Sequence, residues 1–311
     1  MAAGIGKRCR WALEYAALCG VLVYVRLTPD RVWRATGRRF GQWIHDCVGY
    51  RRSVVRENLA AAFPEISNTD LNKLSVATYR HLGETLCEFL AMSGWNSRTV
   101  AGRIEGLDLG ELKALHAEGQ GAILMTGHFG NWELLGAAVA AAGLPIHVVA
   151  RSLSNPWTDR LQNRIRERSG LSVLKADTSV REIVKAVRRG EFVAMLPDVD
   201  AGEDGVFVDF MGRPASTPRG VAYFAWKLRC PIVTKFLVAG ADRRYRTIDA
   251  EMFVPESGDD ESTAVKKITQ TMIANLEAAV RQQPDHYLWL HRRWKTRPSP
   301  NSGGSQEGID S

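Results

Sequence analysis

The stretch Gly121-Ala-Ile-Leu-Met-Thr-Gly-His-Phe-Gly-Asn-Trp-Glu-Leu-Leu135 decides the fold of this 311-residue chain. It begins with an apolar run, Ala122 to Met125, whose length and composition are typical of a buried strand. Small residues then interrupt the run, and Asn131 favours the N-cap position of a helix. The spacing therefore predicts a strand, a turn and a helix from Trp132 to Ala142.

A histidine and a carboxylate flank the predicted turn. His128 follows the strand, at the edge where open α/β sheets bind their ligands, and Glu133 lies in the first turn of the helix. With a turn between them, the Glu133 carboxylate can fold back on the imidazole, fix its tautomer and make it a better base. The spacing also allows an alternative, in which Glu133 complements the helix dipole and His128 is a hydrogen-bonded turn residue.

Strands and helices alternate along most of the remaining chain. An alternation of this kind implies a mainly parallel sheet covered by helices on both faces. Three predicted strands are followed by polar residues, namely His128, Arg151 and Asp198, and this convergence independently indicates a site at one edge of the sheet. The further predicted strands are 145–150, 171–174, 191–196, 230–238, 245–254 and 287–290, and the further helices are 156–169, 178–189, 218–228 and 262–282.

The sequence before the central stretch is predominantly helical. Residues 31–62 are predicted to be helical up to Pro64, and Ser67-Asn68 caps a long helix. Apolar residues recur along that helix at helical spacing, and we interpret the stripe as core rather than as an acyl-binding groove. Residues 102–120 are predicted to form a short strand-like piece and a helix.

The positive charge is concentrated at the amino end. Residues 1–60 hold eleven Lys and Arg against four Asp and Glu, whereas the rest of the chain is balanced, so the net charge of +7 arises there. Such a segment favours an anionic partner. Nucleic acid is the weaker choice because no recognised nucleic-acid-binding motif accompanies the basic residues, and we predict none.

An apolar segment lies within this basic region. Trp11 to Val25 is apolar except for Glu14, which is short for a membrane span of about 20 residues. Interleaved aromatic and basic residues are typical of a helix in the bilayer interface, although an amphipathic helix packed on the domain is an alternative. We predict a membrane-associating extension at 1–62, an α/β domain at 63–298 and a disordered tail at 299–311.

The sequence offers little for a metal. It has no H-E-x-x-H motif, and its five scattered cysteines form no C-x-x-C pair, which favours a reducing, cytosol-facing setting. Asp198, Asp200 and Asp204 are possible cation ligands, but Gly202 and Gly205 indicate a turn at least as strongly. We therefore predict no metal site.

Several ordered blocks resemble the bacterial lipid A late acyltransferases, which belong to the lysophospholipid acyltransferase superfamily. The central block is the H-x4-D/E pattern of Gly127-His-Phe-Gly-Asn-Trp-Glu133, and the resemblance spans roughly residues 10–298. One departure is Gly127, because the glycerol-phosphate branch usually has Asn before the histidine. The other blocks are Asn58-Leu59 with Phe63-Pro64-Glu65, Arg151 with Asn155-Pro156, Arg166-Glu167-Arg168, Pro197-Asp198 and Trp289 to Pro298.

This resemblance implies a glycerolipid acyltransferase-like α/β fold and transfer of a fatty acyl group from acyl carrier protein to a hydroxyl of a lipid A precursor or related glycolipid. The expected setting is the cytoplasmic face of the inner membrane, with an anionic glycolipid acceptor, the membrane surface and acyl carrier protein as partners. No cofactor is expected beyond the acyl donor. Two alternatives stay open: acylation of another glycolipid or lysophospholipid, possibly from acyl-CoA, and a non-catalytic basic protein that binds membranes.

Candidate roles follow from the residue types and the resemblance together. His128 is the expected base and Glu133 its orienting partner, while Asp198 either helps to orient His128 or pairs with an arginine. Main-chain N–H groups from Phe129 to Asn131 are candidate donors to the oxyanion. The candidate substrate-binding residues are Arg151, Arg166, Arg168 and Asn131.

The segment His291-Arg-Arg-Trp-Lys295 completes the set of candidates. Its basic and aromatic residues suit either binding of an anionic headgroup or cation–π packing that closes the domain.

Overall fold

The computed structural model describes residues 4–176, 180–240, 242, 244–256 and 258–298. Its α-helices are α1 (Ile5–Leu27), α2 (Asp30–Trp43), α3 (Arg52–Ala62), α4 (Asn68–Met92), α5 (Ser97–Ala101), α6 (Gly110–Ala117), α7 (Trp132–Ala141), α8 (Pro156–Arg168), α9 (Val180–Arg188), α10 (Gly220–Leu228) and α11 (Glu261–Gln282). Its strands are β1 (Ala122–Met125), β2 (Ile146–Ala150), β3 (Ser172–Lys175), β4 (Phe192–Met195), β5 (Val206–Phe210), β6 (Arg213–Thr217), β7 (Ile232–Ala239) and β8 (Tyr245–Phe253).

A six-stranded sheet forms the centre of the molecule. Its order is β3-β2-β4-β1-β7-β8, and every pairing is parallel except that of β7 with β8. β1 is fully buried between β4 and β7. The predicted α/β class with a mainly parallel sheet flanked by helices is therefore confirmed.

Helices cover the two faces of the sheet because its central strands are apolar on both sides. On one face, α10 and α11 pack against Ile123 and Val193. On the other face, α6 and α7 pack against Leu124 and Ala194. This arrangement leaves the carboxyl ends of β1, β2 and β4 at one edge, close to the start of α7.

Two predictions about secondary structure were wrong, and one hairpin was missed. The segment 31–62 is not one helix, because a π-helical turn at Ile44–Val48 and left-handed residues at Gly49 and Arg51 separate α2 from α3. The predicted strand at 287–290 makes only one bridge, between Tyr287 and Phe129. The antiparallel hairpin of β5 and β6 was not predicted; its turn has positive φ at Met211 and Gly212 but lacks the usual Asn-Gly signature.

The amino-terminal helices pack closely onto α4. A Cβ added to Gly37 would lie 2.6 Å from the carbonyl oxygen of Gly83, and one added to Gly41 would lie 1.9 Å from that of Tyr79. Only glycine permits the α2 and α4 backbones to approach so closely. α4, whose predicted cap is confirmed by the bond from Asp70 N–H to the Ser67 hydroxyl, thus connects α2 to the α/β core.

α1 presents much of its apolar surface to solvent. Of its residues only Val25 is buried, whereas Leu13 and Leu27 are 72% and 79% exposed. Asn155, the N-cap residue of α8, holds α1 by donating to the Trp11 carbonyl oxygen at 3.0 Å. Among the described residues, no helix has the length and apolar character needed to cross a membrane. The tail at 299–311 and Thr178, where a predicted helix begins, lie outside the described residues.

Candidate active site

His128 is held by Asp198. The imidazole Nδ1 lies 2.8 Å from Oδ1 of Asp198, and the main-chain N–H of His128 donates to Oδ2 at 2.7 Å. The in-register pairing of β1 with β4 explains this contact, because Met125 lies opposite Met195 and the two residues stand three positions beyond that pair. A parallel pair of strands thus delivers the base and the carboxylate to the same edge.

Glu133 contacts Arg166 and not the histidine. The Glu133 carboxylate accepts from Nη2 of Arg166 at 2.6 Å and from Nε at 3.0 and 3.2 Å. The expectation that Glu133 orients His128 is therefore corrected: the first turn of α7 faces α8, and Asp198 already occupies the Nδ1 side of the ring. Of the two roles considered for Asp198, the structure shows contact with His128.

The electrostatics of the two carboxylates favour a basic His128. Burial lowers the pKa of His128, but the negative charge and hydrogen bond of Asp198, with a smaller contribution from Glu133, raise it above the ordinary 6.5. Burial raises the pKa of Asp198, and the imidazole outweighs burial and lowers it. An ionised Asp198 only accepts, so Nδ1 carries the proton and Nε2 is left with the basic lone pair.

A cavity of about 1110 Å³ opens at this edge of the sheet. His128, Glu133 and Arg166 line it, whereas the side chain of Asp198 is 1% exposed and lies behind the histidine. One group of lining residues is apolar and lies between the sheet and α7, and we call this region the inner part of the cavity: Leu124, Leu135, Gly136, Val148, Leu171 and Ala194. Its cationic lining residues are Arg51, Arg151, Arg166, Arg292 and Lys295.

The other predicted binding residues divide into two groups. Arg151 and Arg166 line the cavity as expected. Arg168 is exposed on α8 and does not line it. Asn131 is fully buried and also does not line the cavity: its side chain caps α7 by accepting from Leu134 N–H and donates to Glu88. The capping role thus explains why an asparagine stands at position 131.

Two of the three predicted main-chain oxyanion donors are already engaged, whereas the N–H of Phe129 has no hydrogen-bond partner among the described residues. Gly130 N–H donates to the His286 carbonyl oxygen at 3.0 Å, and Asn131 N–H donates to that of Leu237 at 2.8 Å. Gly130 has φ of 62°, and a Cβ there would lie 2.0 Å from the Leu237 carbonyl oxygen. These bonds fix the turn after His128 against His286 and β7, and they leave neither amide for a substrate.

Comparison with known proteins identifies the family. Residues 7–296 match the family described as bacterial lipid A biosynthesis acyltransferase. The chain belongs to this family. It is 29% identical over 294 residues to the lipid A biosynthesis palmitoleoyltransferase of Escherichia coli, with 93% of each chain covered, and 30% identical to the lauroyltransferase of the same organism, with 90% of each covered. A phosphatidylinositol mannoside acyltransferase of Mycolicibacterium smegmatis is 25% identical over 251 residues, covering 77% of this chain and 78% of the relative.

This lipid A acyltransferase family member is an enzyme, and its site rests on a buried charge that sequence reasoning missed. Glu88 of α4 is fully buried and contacts Arg34 of α2 at 2.5 Å, the Tyr245 hydroxyl, and Asn131 at 2.9 Å. Burial raises the pKa of Glu88, opposed by Arg34. The only available signal was one carboxylate between Cys87 and Phe89 in an apolar stripe, which does not reveal its partners.

The segment after the last helix contributes to the acyltransferase site in two ways. The His291 ring packs edge-on against the His128 ring, with ring centroids 5.4 Å apart. His291 also lines the cavity, together with Arg292 and Lys295 of the same segment. Arg293 is instead 1% exposed and donates to Ser216 and Thr217 at 2.7 and 2.6 Å. The packing interpretation therefore applies to Arg293, which also lies over the Phe210 ring at 5.4 Å, whereas binding of an anionic headgroup by this segment stays a prediction.

The amino-terminal part of the acyltransferase positions that segment. Asn58 of α3 donates to the carbonyl oxygens of Trp289 and His291 at 2.7 and 2.6 Å. Arg51 donates to the Leu290 carbonyl oxygen at 3.0 Å. The distant blocks noticed in the sequence, before residue 63 and after residue 289, thus meet beside the cavity.

Proposed function

We propose that this acyltransferase transfers a fatty acyl chain from acyl carrier protein to a hydroxyl group of a lipid A precursor or a related glycolipid. One observation carries the proposal: a single cavity is lined by an apolar inner part, by cationic residues and by His128. The apolar part suits a fatty acyl chain, and arginine suits phosphate groups because its guanidinium binds them bidentately. The names of the similar proteins support the same substrate class.

The transfer step uses His128 as base and then as acid. Nε2 takes the proton of the acceptor hydroxyl while that oxygen attacks the thioester carbonyl carbon, which forms a C–O bond and moves the carbonyl π electrons onto oxygen. Collapse of this oxyanion breaks the C–S bond. The departing thiolate takes the proton from Nε2, so His128 returns to its starting state. Asp198 stabilises the imidazolium between the two transfers.

Arg166 and Arg151 hold anionic groups of the substrates in this proposal. Both line the cavity on the side of β2 and α8, whereas Arg51, Arg292 and Lys295 come from α3's start and the carboxyl-terminal segment. Two cationic groups from different parts of the fold suit two substrates, the phosphorylated arm of the carrier and a phosphorylated glycolipid. Each cationic group suits either substrate, because the phosphate of the carrier and that of the lipid share this chemistry.

A second acceptor class has one supporting observation. The family relatives include phosphatidylinositol mannoside acyltransferases, which are named for another anionic glycolipid. The proposed step is the same with that acceptor, and acyl-CoA would deliver the same thioester. The identity of the accumulated lipid separates these alternatives.

The test is lipid mass spectrometry of a strain that lacks this protein, complemented with wild-type protein or with His128→Ala. We expect a lipid that lacks one acyl chain to accumulate, wild-type protein to restore it and His128→Ala to fail, because base catalysis contributes about 10²–10⁴-fold in rate. His147→Ala is the matched control, since His147 also contacts a carboxylate, Glu191 at 2.7 Å, but lies outside the cavity lining. An unchanged lipid profile in the deletion strain would refute the proposal.

We further propose that the protein binds the cytoplasmic face of the inner membrane through its amino-terminal helices. Leu13 and Leu27 of α1, with Phe40 and Trp43 of α2, are at least half exposed among basic residues. Each basic side chain near an anionic surface contributes about 1 kcal/mol. Protein lacking residues 1–28 should sediment less with anionic vesicles than whole protein, and the loss should be smaller with zwitterionic vesicles. Equal sedimentation of the two proteins would exclude this segment as the anchor.

A further inference from the structure

Thr126 has a buried hydroxyl that the protein does not use. The residue is 3% exposed, and its Oγ1 has no hydrogen-bond partner among the described residues. Buried hydroxyls are nearly always bonded, because leaving one unpaired costs free energy, so each exception calls for an explanation. The main-chain N–H of the residue is satisfied by the Met195 carbonyl oxygen at 3.2 Å, which leaves the side chain as the unexplained group.

The position of Thr126 points to a ligand. It follows β1 directly, two residues before His128, and it lines the cavity. Leu124, two residues earlier, lines the apolar inner part, and so does Ala194, its partner in register on β4. Thr126 thus stands where the apolar inner part meets the histidine. Rotation about one bond exchanges its hydroxyl and methyl groups, and no existing hydrogen bond opposes that rotation.

A polar substrate atom belongs at this boundary. Suppose that an acyl chain occupies the inner part and that its carbonyl carbon lies near Nε2 of His128. The carbonyl oxygen then lies where the inner part meets the histidine, in the neighbourhood of Thr126. The amides of Gly130 and Asn131 are committed to other carbonyls, and that of His128 to Asp198. The N–H of Phe129 is the one candidate main-chain donor without a hydrogen bond among the described residues, and a hydroxyl group at this place adds a second donor for the oxyanion.

We infer that the Thr126 hydroxyl donates a hydrogen bond to the acyl carbonyl oxygen and stabilises the oxyanion that forms during transfer. This inference rests on the proposed acyl transfer. Thr126 would then be a catalytic residue, since it touches the reacting group. The substrate provides the hydrogen-bond partner that its hydroxyl lacks in the free protein. The hydroxyl that is unpaired in the free protein, at a cost in free energy, thus gains a hydrogen-bond partner during transfer.

A packing role and an oxyanion-binding role for Thr126 predict opposite results for Thr126→Val. Valine keeps the shape and removes the hydroxyl. If Thr126 only packs, the variant should be equally or more stable and should keep its turnover. If Thr126 binds the oxyanion, kcat should fall by about 10²–10³-fold with little change in KM, because the bond forms fully only in the transition state. Thr126→Ser should retain most of the turnover.

Thr234 provides a matched control. It lies opposite Met125 on the neighbouring β7, is fully buried, and its Oγ1 also lacks a partner among the described residues, but it does not line the cavity. Thr234→Val should change neither kcat nor KM.

The experiment measures thermal unfolding and steady-state transfer from lauroyl-acyl carrier protein to a lipid A precursor for wild type and the three variants. A lower kcat for Thr126→Val, rescued by serine and absent in Thr234→Val, supports the inference. Turnover of Thr126→Val within twofold of wild type overturns it, and so does an equal loss in Thr234→Val. Absence of transfer by wild-type protein would instead contradict the proposed function, so the two failures are distinguishable.

Discussion

Two ion pairs stand side by side at the carboxyl edge of the sheet, and they differ in burial and in chemistry. In the first, Asp198 is 1% exposed and takes two hydrogen bonds from one residue, His128. In the second, Glu133 and Arg166 both line the cavity and retain 11% and 16% exposure. The first carboxylate therefore acts only through its histidine, whereas the second pair can touch a substrate directly.

The titration behaviour of the pairs differs in the same direction. His128 is the member of the first pair that titrates: burial lowers its pKa, but Asp198 raises it above the ordinary value. Burial lowers the pKa of Arg166, but hydrogen bonds to Glu133 raise it above its already high value, so this guanidinium stays charged. Proton transfer thus belongs to the first pair, and the second pair provides a fixed charge and a fixed geometry.

The largest effect is expected when the first pair loses its charge, in Asp198→Asn. Asparagine offers one oxygen for two donors, so either the main-chain N–H or Nδ1 of His128 loses its acceptor. Turnover should fall by about 10²–10⁴-fold. Glu191→Gln, in the His147–Glu191 pair outside the cavity lining, is the control and should keep its turnover. A near-normal rate for Asp198→Asn would remove Asp198 from the mechanism.

The pH profile of the same variant sharpens this test. The working form of His128 has a neutral imidazole, so the rate falls as pH decreases through its pKa. Because the pKa is raised, the acidic limb of wild-type kcat/KM should lie above pH 6.5. Removing the negative charge lowers that pKa, so the limb of Asp198→Asn should move to lower pH. A limb that stays in place would mean that another group controls it.

Sequence reasoning located the edge of the sheet but not the pairing within it. The apolar runs and Gly or Asn punctuation predict β1 and α7 within one residue of their bounds, since both signals are local. The partner of His128 depends on strand order: β4, far along the chain, lies beside β1. Spacing of five residues made Glu133 the nearest carboxylate in sequence, while Asp198 is the nearest in space.

The buried polar groups that support the site could not be predicted from a single sequence, for a similar reason. Glu88 joins α2, α7 and β8 through contacts to Arg34, Asn131 and Tyr245, each far from it in the chain. A helical stripe predicts which side of α4 is buried, but a buried carboxylate is explained only by partners that tertiary packing brings together. The cap function of Asn131 is local, and the N-cap prediction for it was confirmed.

A smaller effect is expected when the second pair loses its charge, in Glu133→Gln. The amide keeps the shape and loses charge-assisted hydrogen bonds to Arg166, each worth about 1.5–3 kcal/mol, so transfer should fall by about 10–100-fold. The acidic limb should shift less than in Asp198→Asn, because Glu133 contributes less to the pKa of His128. Steady-state rates at several pH values test both points. A loss and a shift equal to those of Asp198→Asn would contradict the division between the pairs.

The smallest effect tests geometry at constant charge, in Arg166→Lys. The guanidinium reaches both Glu133 oxygens through Nε and Nη2, and its Nη1 donates to Asn163 at 3.3 Å. An ammonium offers a point charge and cannot reproduce this fork, so turnover should fall by about tenfold, the equivalent of one lost charged hydrogen bond.

Arg164→Lys is the matched control for this exchange, since Arg164 is exposed on the same helix, two residues away, and does not line the cavity. Both exchanges preserve the net charge, so a role in bulk electrostatic attraction would leave both enzymes unchanged. Steady-state transfer at two salt concentrations separates the cases: screening weakens long-range attraction in all three proteins alike, whereas the deficit of Arg166→Lys should persist at high salt. Equal rates for the two variants would show that the second pair supplies charge without a required geometry.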